Sequence, residues 1–272
     1  MMQINYFCPL WGSDHLPAPE FLEKVKQAGY DGVEMSIPLD EKERNGWLDL
    51  FREYNLQWVA QHYETLSSDF EEHKVLYRKY LENLASSGPV FINSQTGKDY
   101  FSFEQNAELL AIAREISQKY AVKIYHETHR GKFSFAAHVT RQYLERIPDL
   151  LLTVDFSHWC SVAESMLEDQ AEAMELAMER AYHIHARVGF PEGPQIPDPR
   201  APEWQSVLQA HLYWWQRIIG LRKKNGMEKL TITTEFGPYP YMTLLPHTTK
   251  PIASQWDVNV FMMNFLKENL NH

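Results

Sequence analysis

Apolar positions along the chain fall into two alternating rhythms. Short runs rich in β-branched and aromatic residues read as strands at INYFC (4–8), GVEMSIP (32–38), LQWVAQH (56–62), VFINS (90–94), VKIYHE (122–127), LLTVDF (151–156), YHIHAR (182–187) and LTITTEF (230–236). Longer stretches at helical period lie between them. In FEQNAELLAIAREISQKY (103–120), Leu109, Ile112, Ala113, Ile116 and Tyr120 mark one buried helical face. PEFLEKVKQAGY reads as a helix that begins near Pro19 and ends by Gly29, and SVAESMLEDQAEAMELAMERA (161–181) reads as another. Strand then helix, eight times over, predicts an α/β fold of the closed (β/α)8 TIM-barrel type, a single domain over residues 1–272. A doubly wound open sheet would more often carry a Gly-rich phosphate turn after its first strand, and PLWGSDHLPAP has no GxGxxG. The Pro-rich stretch 189–204 can be neither helix nor central strand, so it is expected as a rim loop, with a lid over a site as its first reading.

Composition narrows the function. The chain has 272 residues and 32.0 kDa, enough for one large core. Its formal net charge of −10 provides no electrostatic footprint for a nucleic-acid backbone. Cys8 and Cys160 lack any CxxC spacing and read as reduced thiols in a cytoplasmic protein. No basic leader followed by an apolar core, and no membrane-length apolar run, is visible, so neither export nor insertion is expected.

In a parallel barrel all strands end at one rim, where catalytic groups gather. The fifth to eighth strands end in Glu127, in Asp155 with His158 close behind, in His185 and in Glu235, and the first three groups are spaced by about one βα unit. An ionised carboxylate at the end of a buried run needs a counter-charge or a metal. Two glutamates, an aspartate and a histidine form a mixed oxygen and nitrogen set suited to Mn2+, Mg2+, Co2+ or Zn2+. Each residue also has a plainer role open to it: Asp155 as a helix cap, a lone glutamate in a rim ion pair. His183 is a candidate to support His185 or a core histidine. His62 and His129 lie near the same rim, while His126 should point away from Glu127 because strand neighbours alternate faces. Phe7, Trp11, Trp159, Trp204 and Phe236 are candidate walls for a sugar face, each with core packing as its competing role.

The ordered set HETHRG, DFSH, HIHARVG and TEFG resembles the xylose isomerase-like TIM-barrel superfamily, in particular its sugar isomerases and epimerases related to tagatose and psicose 3-epimerases. The resemblance spans essentially the whole chain. It implies that Glu127, Asp155, His185 and Glu235 hold a divalent metal, that Glu127 and Glu235 are the acid/base pair, and that His158 contacts the substrate. Arg187, His62 and His129 join His158 as expected substrate contacts. The implied activity is isomerisation or epimerisation of a ketose or related keto sugar by enediolate proton transfer, with no nucleic-acid or membrane partner. Barrels of this kind often pair, so a homodimer fits. Two departures stand out. The epimerases carry an arginine six residues after the strand-seven histidine, where this chain has Pro191, and Arg187 lies only two residues after His185. They also carry Asn-Arg three and four residues after the first glutamate, where this chain has Arg130 at plus three and His129 at plus two. A different pocket is therefore expected, and a metal-dependent lyase or dehydratase acting on a keto sugar or inosose is the alternative. An AP-endonuclease-type repair enzyme would need more histidines and less negative charge, and a non-catalytic sugar-binding barrel would not need the four ligands.

Overall fold

The computed structural model describes residues 2–270. Eight strands, β1 (Gln3–Pro9), β2 (Gly32–Met35), β3 (Gln57–His62), β4 (Ile92–Ser94), β5 (Ile124–Glu127), β6 (Leu152–Val154), β7 (Ala181–His185) and β8 (Lys229–Thr233), close into a barrel in sequence order. Every pairing is parallel, and β1 pairs with β8 to complete the ring. Outside it lie α1 (Ala18–Ala28), α2 (Glu41–Tyr54), α3 (Phe70–Ser86), α4 (Phe103–Tyr120), α5 (Ala137–Arg146), α6 (Phe156–Ala163), α7 (Ala171–Glu179), α8 (Gln205–Lys224) and α9 (Gln255–Leu270). The TIM-barrel expectation holds. Helix α4 has the predicted bounds because Ser102 and Gln105 form a reciprocal capping box at its start.

Strand alternation sorts the core. Ala60, Ile92, Ile124 and Ile184 face outward into the layer shared with the helices. Phe7, Val59 and Phe91, with Tyr125 against them, form a separate apolar plug inside the barrel. Phe91 also packs on His183, with ring centroids 4.9 Å apart. On β3, β4 and β5 the next inward positions are Gln61, Asn93 and Glu127, so the barrel passes from an apolar plug to a polar and charged layer.

Two sequence expectations change. The stretch 161–181 is not one helix: α6 starts at the Asp155 cap, Glu164 turns left-handed at φ 49°, and α7 begins only at Ala171. Tertiary packing decides this, since Leu167, itself at φ 63°, is buried between the two helices. The Pro-rich stretch is a rim loop with one 3-10 turn at Pro202–Trp204, but none of its residues lines the cavity at the C-terminal mouth of the barrel. It is tied down as a buttress. Ile196 is buried and its N–H donates to Val188 O (2.8 Å), Gln195 clamps both main-chain groups of Gly237 (2.7 and 3.2 Å), and Trp204 packs on Phe190. Among the described residues no helix is long and apolar enough to cross a membrane.

Candidate metal centre and substrate cavity

Inward register places the charged layer. Glu127 and His185 are the last residues of β5 and β7, Asp155 directly follows β6, and Glu235 lies two residues beyond β8. One ligand-capable atom from each of these four lies within 4.8 Å of all the others, and all four side chains are buried. Asp155 also plays the plainer role foreseen for it, accepting from Ser157 N (3.0 Å) as the cap of α6.

The donor set fits a divalent ion. His185 Nδ1 lies 2.6 Å from Glu235 Oε2 and 3.8 Å from Glu127 Oε1. Yet neither Nδ1 nor Oε2 has a hydrogen-bond partner in good geometry among the described residues. Buried polar atoms that approach closely without a shared hydrogen-bond axis are arranged like two ligands of one ion. Charge balance supports the same fit. Burial disfavours a charged His185, but Glu235, Glu34 and Glu127 together hold its pKa well above the ordinary value. Burial, with Glu235 and Asp155 adding repulsion, pushes Glu127 up to about 8 despite the pull of His185. Burial acts upward on Glu235 too, but His185 and Arg187 outweigh it and lower the pKa. Protons on His185 and Glu127 thus stand in for a cation, and exchanging both for one divalent ion leaves the local charge unchanged.

Behind the four stands Glu34 of β2, which sequence reasoning passed over. Its two oxygens lie 3.0 and 3.1 Å from His185 Nε2, so Nε2–H donates to the carboxylate and Nδ1 is left facing the cluster. Glu34 also accepts from Asn93 Nδ2 (2.9 Å), from His183 Nε2 (3.2 Å) and from the Thr233 hydroxyl. Burial pushes Glu34 upward, but the charge on His185 and the hydrogen bonds of both histidines hold it well below the usual carboxylate range. Asn93 reaches Glu127 Oε2 as well (2.9 Å), coupling the two glutamates. His183 therefore supports His185 indirectly, through a shared carboxylate, while Thr231 holds its other ring nitrogen (2.7 Å).

Above this layer opens a cavity of about 410 Å³. Glu235 reaches its surface, and Glu127, Asp155 and His185 lie beneath. Gln61 Nε2 donates to Glu235 Oε1 (3.2 Å) and Gln95 Nε2 reaches the Glu127 carboxylate (3.4 Å) from the cavity wall. Arg187 is part of that wall: it pairs with Asp155, lies 3.5 Å from Glu235 Oε2, and stacks over Tyr241 at 4.7 Å. Trp11 meets Tyr241 edge-on at 5.1 Å. His129 lines the cavity, with burial and the nearby Arg187 pushing its pKa down to about 3. His158 is fully buried behind it, with ring centroids 3.9 Å apart, and its Nε2 accepts from Arg187 (2.7 Å).

His62 does not reach this cavity. As the neighbour of inward-facing Gln61 it turns outward, between Ser94 Oγ (3.1 Å) and Thr65 Oγ1 (2.8 Å), which corrects its assignment as a substrate contact. His126 faces outward as expected and bonds Thr96 (2.7 Å). Of the aromatic candidates only Trp11 lines the cavity; Phe7, Trp159 and Phe236 are buried in the core, and Trp204 lies in the buttressing loop.

No protein-family model matches the sequence, and no curated protein does. Solved structures do match over nearly the whole chain. A 3-keto-D-glucoside 4-epimerase from E. coli is 14% identical at a TM-score of 0.62, covering 98% of this chain and 100% of that one. A xylose isomerase-like TIM-barrel protein from Mycobacterium smegmatis, solved in complex with magnesium, is 8% identical at 0.60 and covers 98% and 97%. An endonuclease IV from Thermus thermophilus is 12% identical at 0.59 and covers 98% of each. Different chemistries thus share the scaffold, and at these identities the likeness speaks for architecture alone. That architecture is the one found in the xylose isomerase-like TIM barrels.

Proposed function

We propose that this chain is a divalent-metal-dependent isomerase or epimerase that moves a proton on the carbon beside the carbonyl of a ketose or related keto sugar. The observation that carries the reading is the meeting of Glu127, Asp155, His185 and Glu235 at the floor of a polar, aromatic-walled cavity. The ion, drawn from Mn2+, Mg2+, Co2+ or Zn2+, would supply Lewis-acid polarisation of the substrate carbonyl. The chain's own residues would do the rest. The resemblance makes Glu127 and Glu235 the acid/base pair, and of the two only Glu235 reaches the surface of the cavity. Glu235, which faces the cavity, takes the proton, and Glu127 returns one. Arg187 and His129 in the wall, with His158 behind them, position the sugar oxygens. A nucleic-acid substrate is disfavoured by the net charge of −10. Two buried free thiols suit a cytoplasmic enzyme.

The test has two parts. Metal-stripped protein titrated with Mn2+ should bind one equivalent tightly, and Glu235→Gln should abolish that binding. The loaded protein should then exchange a ketose C–H proton with deuterated water. Metal binding that is unaltered in the variant removes the site, and absence of metal-dependent exchange across a broad ketose panel removes the chemistry.

A further inference from the structure

Two carboxamides on the cavity wall are tied down at one end and unused at the other. Gln61 is the last inward residue of β3, and its register partner on β4 is Asn93. Gln95 lies two residues beyond Asn93. Its N–H donates to His62 O (2.9 Å), which carries the β3–β4 ladder one residue past β4 and brings Gln95 back to the inward side. Both side chains line the cavity. Gln61 Nε2 donates to Glu235 Oε1 (3.2 Å), and Gln95 Nε2 faces the two oxygens of Glu127 (3.4 Å to each). An ionised carboxylate only accepts, so each glutamine turns its NH2 end to a glutamate and keeps its amide oxygen for another partner. Among the described residues neither Gln61 Oε1 nor Gln95 Oε1 has one. The same division recurs one layer down in Asn93, whose Nδ2 reaches Glu34 and Glu127 (2.9 Å each) while its buried Oδ1 has no partner.

We propose that Gln61 Oε1 and Gln95 Oε1 form a hydroxyl-binding subsite, each accepting from one hydroxyl of the substrate, so that the sugar meets β3 and β4 through a hydroxylated stretch and not through a phosphate or carboxylate. That the ligand is a keto sugar rests on the proposed function; the demand for O–H donors does not. Ionised phosphate and carboxylate oxygens bring acceptors, and an amide oxygen has nothing to offer them. The wall is two-sided. β7 stands across the ring from β3, and from its end Arg187 brings a guanidinium, which can only donate. A sugar is thereby oriented with hydroxyl protons toward β3 and β4 and acceptor oxygens toward Arg187. Each amide also links the hydroxyl it takes to one glutamate, Gln61 to Glu235 and Gln95 to Glu127, so the two bound hydroxyls fix the sugar chain against both carboxylates at once. Both amides stand on strand ends and not on a free loop, which suits a subsite that sets geometry.

Calorimetric titration of the full chain in the presence of Mn2+, with a panel of ketoses and their singly deoxygenated analogues, tests the subsite. The tightest ketose should bind about tenfold more weakly in Gln61→Met and in Gln95→Met, one hydrogen bond being lost in each, and equally well in Gln57→Met at the opposite end of β3. For each of the two variants one deoxy analogue should bind parent and variant alike, because the hydroxyl it lacks is the one that amide takes. Mn2+ affinity should be the same in all of them. Full ketose affinity in either variant, an equal loss in Gln57→Met, a loss that persists with every deoxy analogue, or a panel in which no ketose binds overturns the proposal. So does a parallel loss of Mn2+ affinity, since the amides then act on the carboxylates alone. A ketose phosphate that binds more tightly than its parent ketose and loses as much in both variants overturns the exclusion of anions. Proton exchange with deuterated water on the same samples keeps the two readings apart: binding with these properties but no exchange sinks the proposed function alone, and exchange with undiminished binding in the variants sinks the subsite alone.

Discussion

Replacing Glu34 by glutamine isolates the carboxylate that stands behind His185 of the proposed metal site. Four donors converge on Glu34, from Asn93, His183, His185 and Thr233, and a carboxylate has about four acceptor positions to meet them. In Glu34→Gln one oxygen becomes an NH2, so part of this set is left donor against donor, at a cost of about 1–3 kcal/mol in stability. The effect on metal is separate. Without the negative charge at 3.0 Å from Nε2, His185 is a weaker base and its ring is free to turn. Metal affinity should fall 10–100-fold, about 1.4–2.7 kcal/mol. The assay is Mn2+ titration against a competing chelator, on protein whose fold is checked by urea unfolding under the same conditions. If the variant is destabilised as expected yet binds Mn2+ as tightly as the parent, Glu34 is a structural acceptor only, and the orientation assigned to His185 is wrong.

Two further predictions concern the frame. His211 of α8 is fully buried with Nε2 against Gly189 at the base of the Pro-rich loop, and burial lowers its pKa to about 4, the Gly189 contact offsetting this in part. The unfolded chain binds this proton more readily, so stability is complete above the unfolded value near 6.5 and is lost as pH falls toward about 4, by at most on the order of 3 kcal/mol from this one group. Urea midpoints between pH 7.5 and 4.5 should fall, with a shallower slope in His211→Gln; an unchanged slope refutes the assignment. Gly237 lies against the cavity wall, where an added Cβ would be 2.1 Å from Trp11 Cη2. Gly237→Ala should therefore displace Trp11, cost about 1–3 kcal/mol by overpacking and shift tryptophan emission, and an unchanged melting temperature and spectrum would count against the rigid wall.

The fold was legible because two periods alternate along the chain, near 2 in the strands and near 3.6 in the helices, eight such units fit a closed barrel of this length, and the turn after the first strand lacks the glycines of an open nucleotide-binding sheet. The break between α6 and α7 was not legible. The segment SMLEDQ contains neither glycine nor proline, and its interruption depends on burying Leu167 from outside the local sequence. The lid reading of the Pro-rich loop failed for a similar reason: prolines exclude regular structure but do not say which way a loop folds. Tyr241, which closes the cavity against Trp11 and Arg187, lies in an aperiodic segment after β8 that carries no pattern to read.

Within the strands, register proved more informative than residue chemistry. Histidine invites a functional reading, yet at the end of β3 it is Gln61 and not His62 that faces the cavity, because strand side chains alternate and Val59 already fixes the inward set. The same rule would have found Glu34, a carboxylate on an otherwise apolar strand segment, by the reasoning already applied to Glu127. It also bears on the arginine that the sugar epimerases place six residues beyond the strand-seven histidine. Continuing the inward side of β7 from His183 and His185 leads to Arg187, whose guanidinium pairs with Asp155 and approaches Glu235 without any help from a long loop. Pro191 in the loop therefore does not leave the cavity without a cation. The positive charge enters from the strand end, at shorter reach and under full burial, where it steadies two carboxylates of the four-residue cluster as well as lining the cavity.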